Sequence, residues 1–107
     1  MEGLVMNDSV SRFWEHYILK TKRYALKDPA VRWYVRHAEE YIKRYSSVRL
    51  RAHTADMLTS YLSEKGRNAQ LKDWQYKQIV YALKILFKDL LNVEFASNYP
   101  WTTRRGF

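Results

Sequence analysis

The chain is predicted to fold as an all-α bundle of four helices, on three observations. Apolar residues recur at three- and four-residue steps through most of the sequence, and no stretch alternates with the two-residue period of a strand. Only three Gly and two Pro interrupt 107 residues, so helices have few breakers. With 47% hydrophobic and 16% aromatic residues, that length makes one modest core and one domain.

Each element has its own signature. The first helix is expected from about Ser11 to Tyr24, with Ser9 or Ser11 as candidate N-cap and Phe13, Trp14, Tyr17, Ile18 and Tyr24 along one side. Residues 1–10 read as a flexible N-terminus. In the second helix Asp28 is positioned to cap and Pro29 suits the first helical position, where its missing N–H costs nothing. Val31, Tyr34, Val35, Ala38, Tyr41, Ile42 and Tyr45 form its stripe, and it should end near Tyr45 or Ser46. The third is short, capped by Thr54, buried through Leu58, Tyr61 and Leu62, and stopped by Gly66 in a left-handed conformation. The fourth runs from about Leu71 to Asn92, long enough to pack against all the others. The helical domain therefore spans 11–92. Beyond it VEFASNYPWTTRRGF has no periodicity and Pro100 blocks a helix, so 93–107 reads as a linker or tail.

Charge narrows the partner. Nineteen Lys and Arg against eleven Asp and Glu give +8 and a pI near 9.8, a balance that favours a polyanion. Nucleic acid leads, and an anionic membrane surface is the weaker alternative. Lys20 to Lys27 holds four basic residues and no acid, Lys43 to Thr54 holds Lys43, Arg44, Arg49 and Arg51 and no acid, and Lys65 to Lys72 holds three and none. Solvated surfaces usually mix both signs, so acid-free clusters at helix ends suggest a phosphate-facing rim. No apolar run approaches the roughly 18 residues of a spanning helix, and MEGLVMNDSV lacks a signal peptide's basic-then-apolar pattern, so a cytosolic location is expected. The absence of cysteine removes disulfides and thiolate chemistry.

The stretch KDWQYKQIVYALKILF, from Lys72 to Phe87, carries two surfaces on one helix. Ile79, Val80, Leu83, Leu86 and Phe87 merge into a core stripe with Leu90 and Leu91. Lys72, Gln75, Lys77, Gln78 and Lys84 fall largely off it, and Lys and Gln suit phosphates and base edges. Other residue types invite chemistry without supporting it. Nine tyrosines include Tyr34, Tyr41, Tyr45 and Tyr61 on helical stripes, with no neighbouring base or cationic cluster to activate a nucleophile. His16, His37 and His53 lack ligand spacing and read as ordinary surface or half-buried residues, so neither a metal nor a cofactor is expected. Trp14, Trp33 and Trp74 read as core anchors, whereas Trp101 either docks back on the bundle or is held by another domain.

Three blocks in order, WYVRHAEEYI (Trp33 to Ile42), HTADMLTSYLSEKGR (His53 to Arg67) and DWQYKQIVYALKILF (Asp73 to Phe87), resemble the N-terminal SAM-like, core-binding domain of phage and integron-type integrases, the tyrosine recombinases. The resemblance covers roughly Phe13 to Leu91. It implies a bundle of four or five helices that clamps one face of a recombination site in double-stranded DNA, acting in DNA integration and recombination beside other recombinase protomers. Catalysis is then left to a separate C-terminal domain of the same protein, toward which 93–107 would lead, with Arg104 and Arg105 touching DNA in passing. No catalytic residue is expected in this chain. The family's DNA-facing surface maps onto Arg32, Arg36 and Lys43 of the second helix and Gln75, Lys77, Gln78 and Lys84 of the fourth, with Arg44, Arg49, Arg51 and Lys72 in the basic connections. Integron-type members often carry Thr or Ser where this chain has Ala30, which removes a hydroxyl from that helix start.

Two other classes fit the same composition. A stand-alone helical DNA-binding regulator would need a short turn between two helices and a dimer surface, and the roughly nine residues from Ser46 to Thr54 are long for that turn. A protein-interaction bundle with an incidentally basic surface would show no salt-dependent binding to duplex DNA.

Overall fold

A computed structural model describes residues 2–24 and 26–105, the side chains of residues 2–8 excepted. Every regular element among them is helical, as the apolar periodicity predicts. Helix α1 spans Glu2–Lys22, α2 Asp28–Arg44, α3 Ala55–Gly66 and α4 Asp73–Lys84, with 3-10 turns at Leu50–Ala52 and Glu94–Ser97. The last helix does not end at Lys84 but continues from Ile85 to Leu90 as a π-helical segment.

Helix α1 begins well before the expected start near Ser11. Of the expected flexible stretch 1–10, Met1 lies outside the described residues and Glu2 onward is helical. No proline intervenes, so the helix propagates backward at one hydrogen bond per residue. Residues 9–12 are all exposed, and Phe13 beyond them packs on the core. Tyr24 lies past the helix end instead of on its stripe, exposed, with its hydroxyl donating to Asp89 at 2.5 Å.

Helix α2 starts one residue earlier than its cap signal. Lys27 is the N-cap, extended and without a side-chain bond, because its carbonyl already accepts from Val31 N–H at 3.0 Å. Asp28 thus becomes the first helical residue, its carboxylate in the favourable first turn. At α3 the Thr54 hydroxyl accepts from Met57 N–H at 3.2 Å, the cap that the sequence predicts. Gly66 does not take the expected left-handed conformation. The chain instead continues in right-handed turns, with Asn68 N–H on Lys65 O and Leu71 N–H on Asn68 O. Among the described residues the one with positive φ is Asn92, at +50°, which closes the fourth helix where its end is expected.

One core joins all four helices. Tyr17, Tyr34, Ala38, Tyr41, Leu58, Tyr61, Leu62, Ile79, Leu83 and Phe87 share it, and α2 and α4 form its most extensive helix pair. Tyr17 is fully buried and donates to the Ala82 carbonyl at 2.8 Å, satisfying its hydroxyl. That bond falls three residues before the π-helical turns, where a side chain on the carbonyl ladder accompanies the widened hydrogen-bonding.

The segment 93–105 is not a free linker. Phe95 lies 5.5 Å from Phe87, Tyr99 bonds Thr59 at 2.8 Å, and Trp101 donates its indole N–H to Ala96 O at 3.0 Å. Trp101 is therefore docked on the bundle side, one of the two alternatives left open for it. Gly106 and Phe107 lie outside the described residues.

Candidate functional site

Val31, Tyr34, Ala38 and Tyr41 turn one side of α2 into the core, which leaves Arg32, Trp33, Arg36 and Glu39 facing out. With Pro29 these residues line an open groove of about 490 Å³. The Arg36 guanidinium lies 5.4 Å from the centre of the Trp33 ring, a cation–π contact at the surface. Trp33 is 51% exposed and Trp74 57% exposed, so neither anchors the core as expected. Each stands close to a buried tyrosine that takes the inward position, Trp33 one residue before Tyr34 and Trp74 two residues before Tyr76. Trp14 does pack against the core. Tyr76 is a residue that sequence reasoning missed, although its three-residue step to Ile79 extends the apolar stripe backward.

The expected contact residues divide into free cations and residues occupied by the fold. Arg32, Lys43, Arg49, Lys72 and Lys77 are exposed and make no ion pair with any described residue. Lys77 rests its ammonium 5.9 Å from the Tyr81 ring. Arg44 is bound to Glu64 at 2.6 Å, both half-exposed, and the guanidinium holds that carboxyl below the usual range. Arg51 donates to the Leu91 carbonyl at 2.8 Å and so caps the end of the fourth helix. Gln75 accepts from the Lys72 backbone N–H at 2.7 Å, closing the start of α4. Lys84 is half-buried, beside Tyr24, Leu26, Tyr34 and Tyr81 in a separate groove of about 310 Å³.

Gln78 stitches the two helices together. Its Oε1 lies 3.3 Å from His37 Nε2 across the α2–α4 seam, with His37 donating when neutral. Burial pushes the His37 pKa down, opposed by the Gln78 bond and by Glu40, while Lys65 and Arg36 add to the lowering. Arg36 therefore adjoins a seam residue on α2 just as Lys77 adjoins one on α4.

The histidines differ more than their spacing suggests. His16 is exposed and His37 half-buried, both within the expectation of surface or half-buried residues, but His53 is buried and departs from it. Its Nδ1 lies 3.1 Å from the Tyr41 hydroxyl and its Nε2 3.0 Å from Val48 O, so both ring nitrogens are satisfied and the α2–α3 connection is pinned to the core. Among the described residues no three His, Asp or Glu side chains gather into a group that would hold a metal ion. No helix among them is long and apolar enough to cross a membrane. The buried tyrosines are poor nucleophile candidates on electrostatic grounds, since burial pushes Tyr17, Tyr41 and Tyr61 well above the ordinary phenol range.

Arg105, expected to brush DNA, is instead turned inward. It donates to Asn68 O at 3.0 Å, to Gly66 O at 3.4 Å and to Leu71 O, and its Nε lies 3.0 Å from Asp73 Oδ1 without an aligned hydrogen bond. Only Arg104 of the pair remains exposed. Comparison with protein-family models, curated proteins and solved structures finds no match to this chain.

Proposed function

We propose that this chain is a double-stranded DNA-binding module, of the kind that forms the core-binding half of a site-specific tyrosine recombinase, and that it performs no chemistry alone. The observation that carries this reading is the α2–α4 pair. Two helices meet at the His37–Gln78 bond, and each presents next to that seam an exposed cation with no ion pair among the described residues, Arg36 and Lys77. Arg32 lies one turn before Arg36 and Lys43 two turns beyond it, while Lys72 precedes Lys77. Such cations serve as phosphate contacts, and Arg36 or Arg32 has the forked geometry for a guanine edge. The three residue blocks that resemble integrase core-binding domains supply the recombinase part of the reading. Its implied partners are the recombination site, a catalytic domain of the same protein, and further protomers on the DNA.

Duplex binding measured by fluorescence anisotropy tests it. Arg36→Ala and Lys77→Ala should each weaken binding without lowering the melting temperature, because both side chains are exposed. If about four phosphates are neutralised, log affinity falls against log salt with a slope of roughly −3 to −4. Unchanged affinity in both variants at low salt removes this surface from consideration. Incubation with supercoiled DNA should yield neither nicks nor a covalent adduct, and a phosphotyrosyl linkage formed by this chain alone would defeat the assignment of chemistry elsewhere.

A further inference from the structure

The docked tail adds a second wall to the start of α4. Asp73, Trp74 and Lys77 on one side and Thr103, Arg104 and Arg105 on the other enclose a groove of about 440 Å³. The six residues have separate roles. Arg105 is committed to the carbonyls of Gly66, Asn68 and Leu71, and its Nε lies 3.0 Å from Asp73, the one carboxylate among the described residues that line the groove, so the charges of that pair balance. Lys77 and Arg104 have no ion pair among the described residues, so two positive charges stay uncompensated across the groove. Trp74, which lines the same groove, leaves more than half of its surface in water, at 57% exposed. A large indole held in solvent forgoes the stabilisation that burial would bring, and α4 already fills its core position with Tyr76.

An exposed π face and two cations in one groove match one ligand chemistry, a phosphate joined to a planar base. We propose that this groove binds a nucleotide unit, its phosphate between Lys77 and Arg104 and its base stacked on Trp74. The Thr103 hydroxyl at the same wall is an additional donor for the phosphate. Stacking on an indole requires a base that is free of its duplex neighbours, so the ligand is a single strand or an unstacked nucleotide within DNA, not continuous B-form duplex. The choice of a strand over a free nucleotide rests on the DNA-binding reading above. The groove exists only because the tail is latched, and Arg105 is thus a positioning residue for it.

The test uses the whole chain with a ~10-nucleotide oligothymidylate, thymidine monophosphate and a blunt duplex as separate probes. Oligothymidylate should quench tryptophan emission. Trp74→Ala should weaken its binding by roughly 5- to 100-fold, with Trp74→Phe retaining most of the affinity, as expected of a stacking platform. Arg104→Ala should reduce the steepness of the log–log salt dependence by about 0.7, one phosphate on a single strand. Both positions are exposed, so circular dichroism and melting should match the unaltered chain. Monophosphate competing at a concentration comparable to the oligonucleotide would support the groove and identify the free nucleotide as its ligand, whereas strand-only binding supports the groove with a strand. Absence of oligothymidylate binding at low salt, or affinity unchanged in both Trp74→Ala and Arg104→Ala, overturns the proposal. Duplex binding that still responds to Arg36→Ala under that outcome leaves the α2–α4 reading standing. Conversely, Trp74-dependent strand binding with no duplex binding defeats that reading alone.

Discussion

Replacing Arg105 by alanine should detach the tail from the bundle and lower stability by about 2 kcal/mol. The side chain is 19% exposed and reaches back to the turn between α3 and α4 through bonds to Asn68 O at 3.0 Å, Leu71 O and the longer one to Gly66 O at 3.4 Å. A hydrogen bond from a charged donor contributes roughly 1.5–3 kcal/mol, but the carbonyls freed by the substitution rehydrate, so two good bonds yield less than their sum. The Asp73 pair adds little, because that carboxylate is 95% exposed and screened by water. At about 4–5 °C per kcal/mol for a chain of this size, the melting temperature should fall by roughly 8–10 °C. Arg105→Lys should recover less than half of it, since one ammonium cannot fork across carbonyls contributed by three residues. Arg104→Ala, its exposed neighbour, is the control and should melt within about 1–2 °C of the unaltered chain. Thermal melts followed by far-ultraviolet circular dichroism read all three variants. An Arg105→Ala melt coincident with that of Arg104→Ala would refute the reasoning, and the tail would be the free linker that its missing periodicity suggests.

Leu83→Ala removes a fully buried side chain at the centre of the core and should cost about 2–5 kcal/mol by chemical denaturation, with cooperativity retained. His37 supplies a pH dependence. Its folded-state pKa lies below the ordinary value of about 6.5, so the neutral form stabilises the fold, that contribution is complete above about pH 6.5, and it is lost as pH falls below it. Comparing denaturation midpoints at successive pH values below 6.5, His37→Gln should show a shallower decline than the unaltered chain, and parallel curves would exclude this origin. Buried Tyr17, Tyr34, Tyr41, Tyr61 and Tyr76 all have pKa values raised chiefly by burial. Their contribution is complete below about pH 10 and lost above it, so the share of phenolate absorbance that these five of the nine tyrosines supply should appear only in step with loss of helix. Phenolate absorbance of all nine reached before any helix is lost would show these rings to be accessible.

How far the sequence reaches depends on how far a residue's partner lies along the chain. The α2 stripe from Val31 to Tyr41 and the Thr54 cap on Met57 N–H were legible because they rest on spacings within one or two helical turns. The all-helical class followed from the same short-range periodicity, and the acid-free basic clusters from simple order along the chain. Tertiary structure decided the rest. Trp33 and Trp74 are apolar by type, yet the rotation of α2 and α4 that buries Tyr34 and Tyr76 leaves both indoles in water. Gln75 and Gln78 carry the same side chain near one helix start, but one closes a cap three residues away and the other meets His37 across 41 positions. Arg51 and Arg105 resemble the other basic residues until the fold brings them to carbonyls some 34 to 40 positions distant. Charge and amphipathicity are properties of a residue and its near neighbours, so the chain declares them locally. Which cation remains free for a partner is decided only when packing has assigned each long side chain the acceptors within its reach.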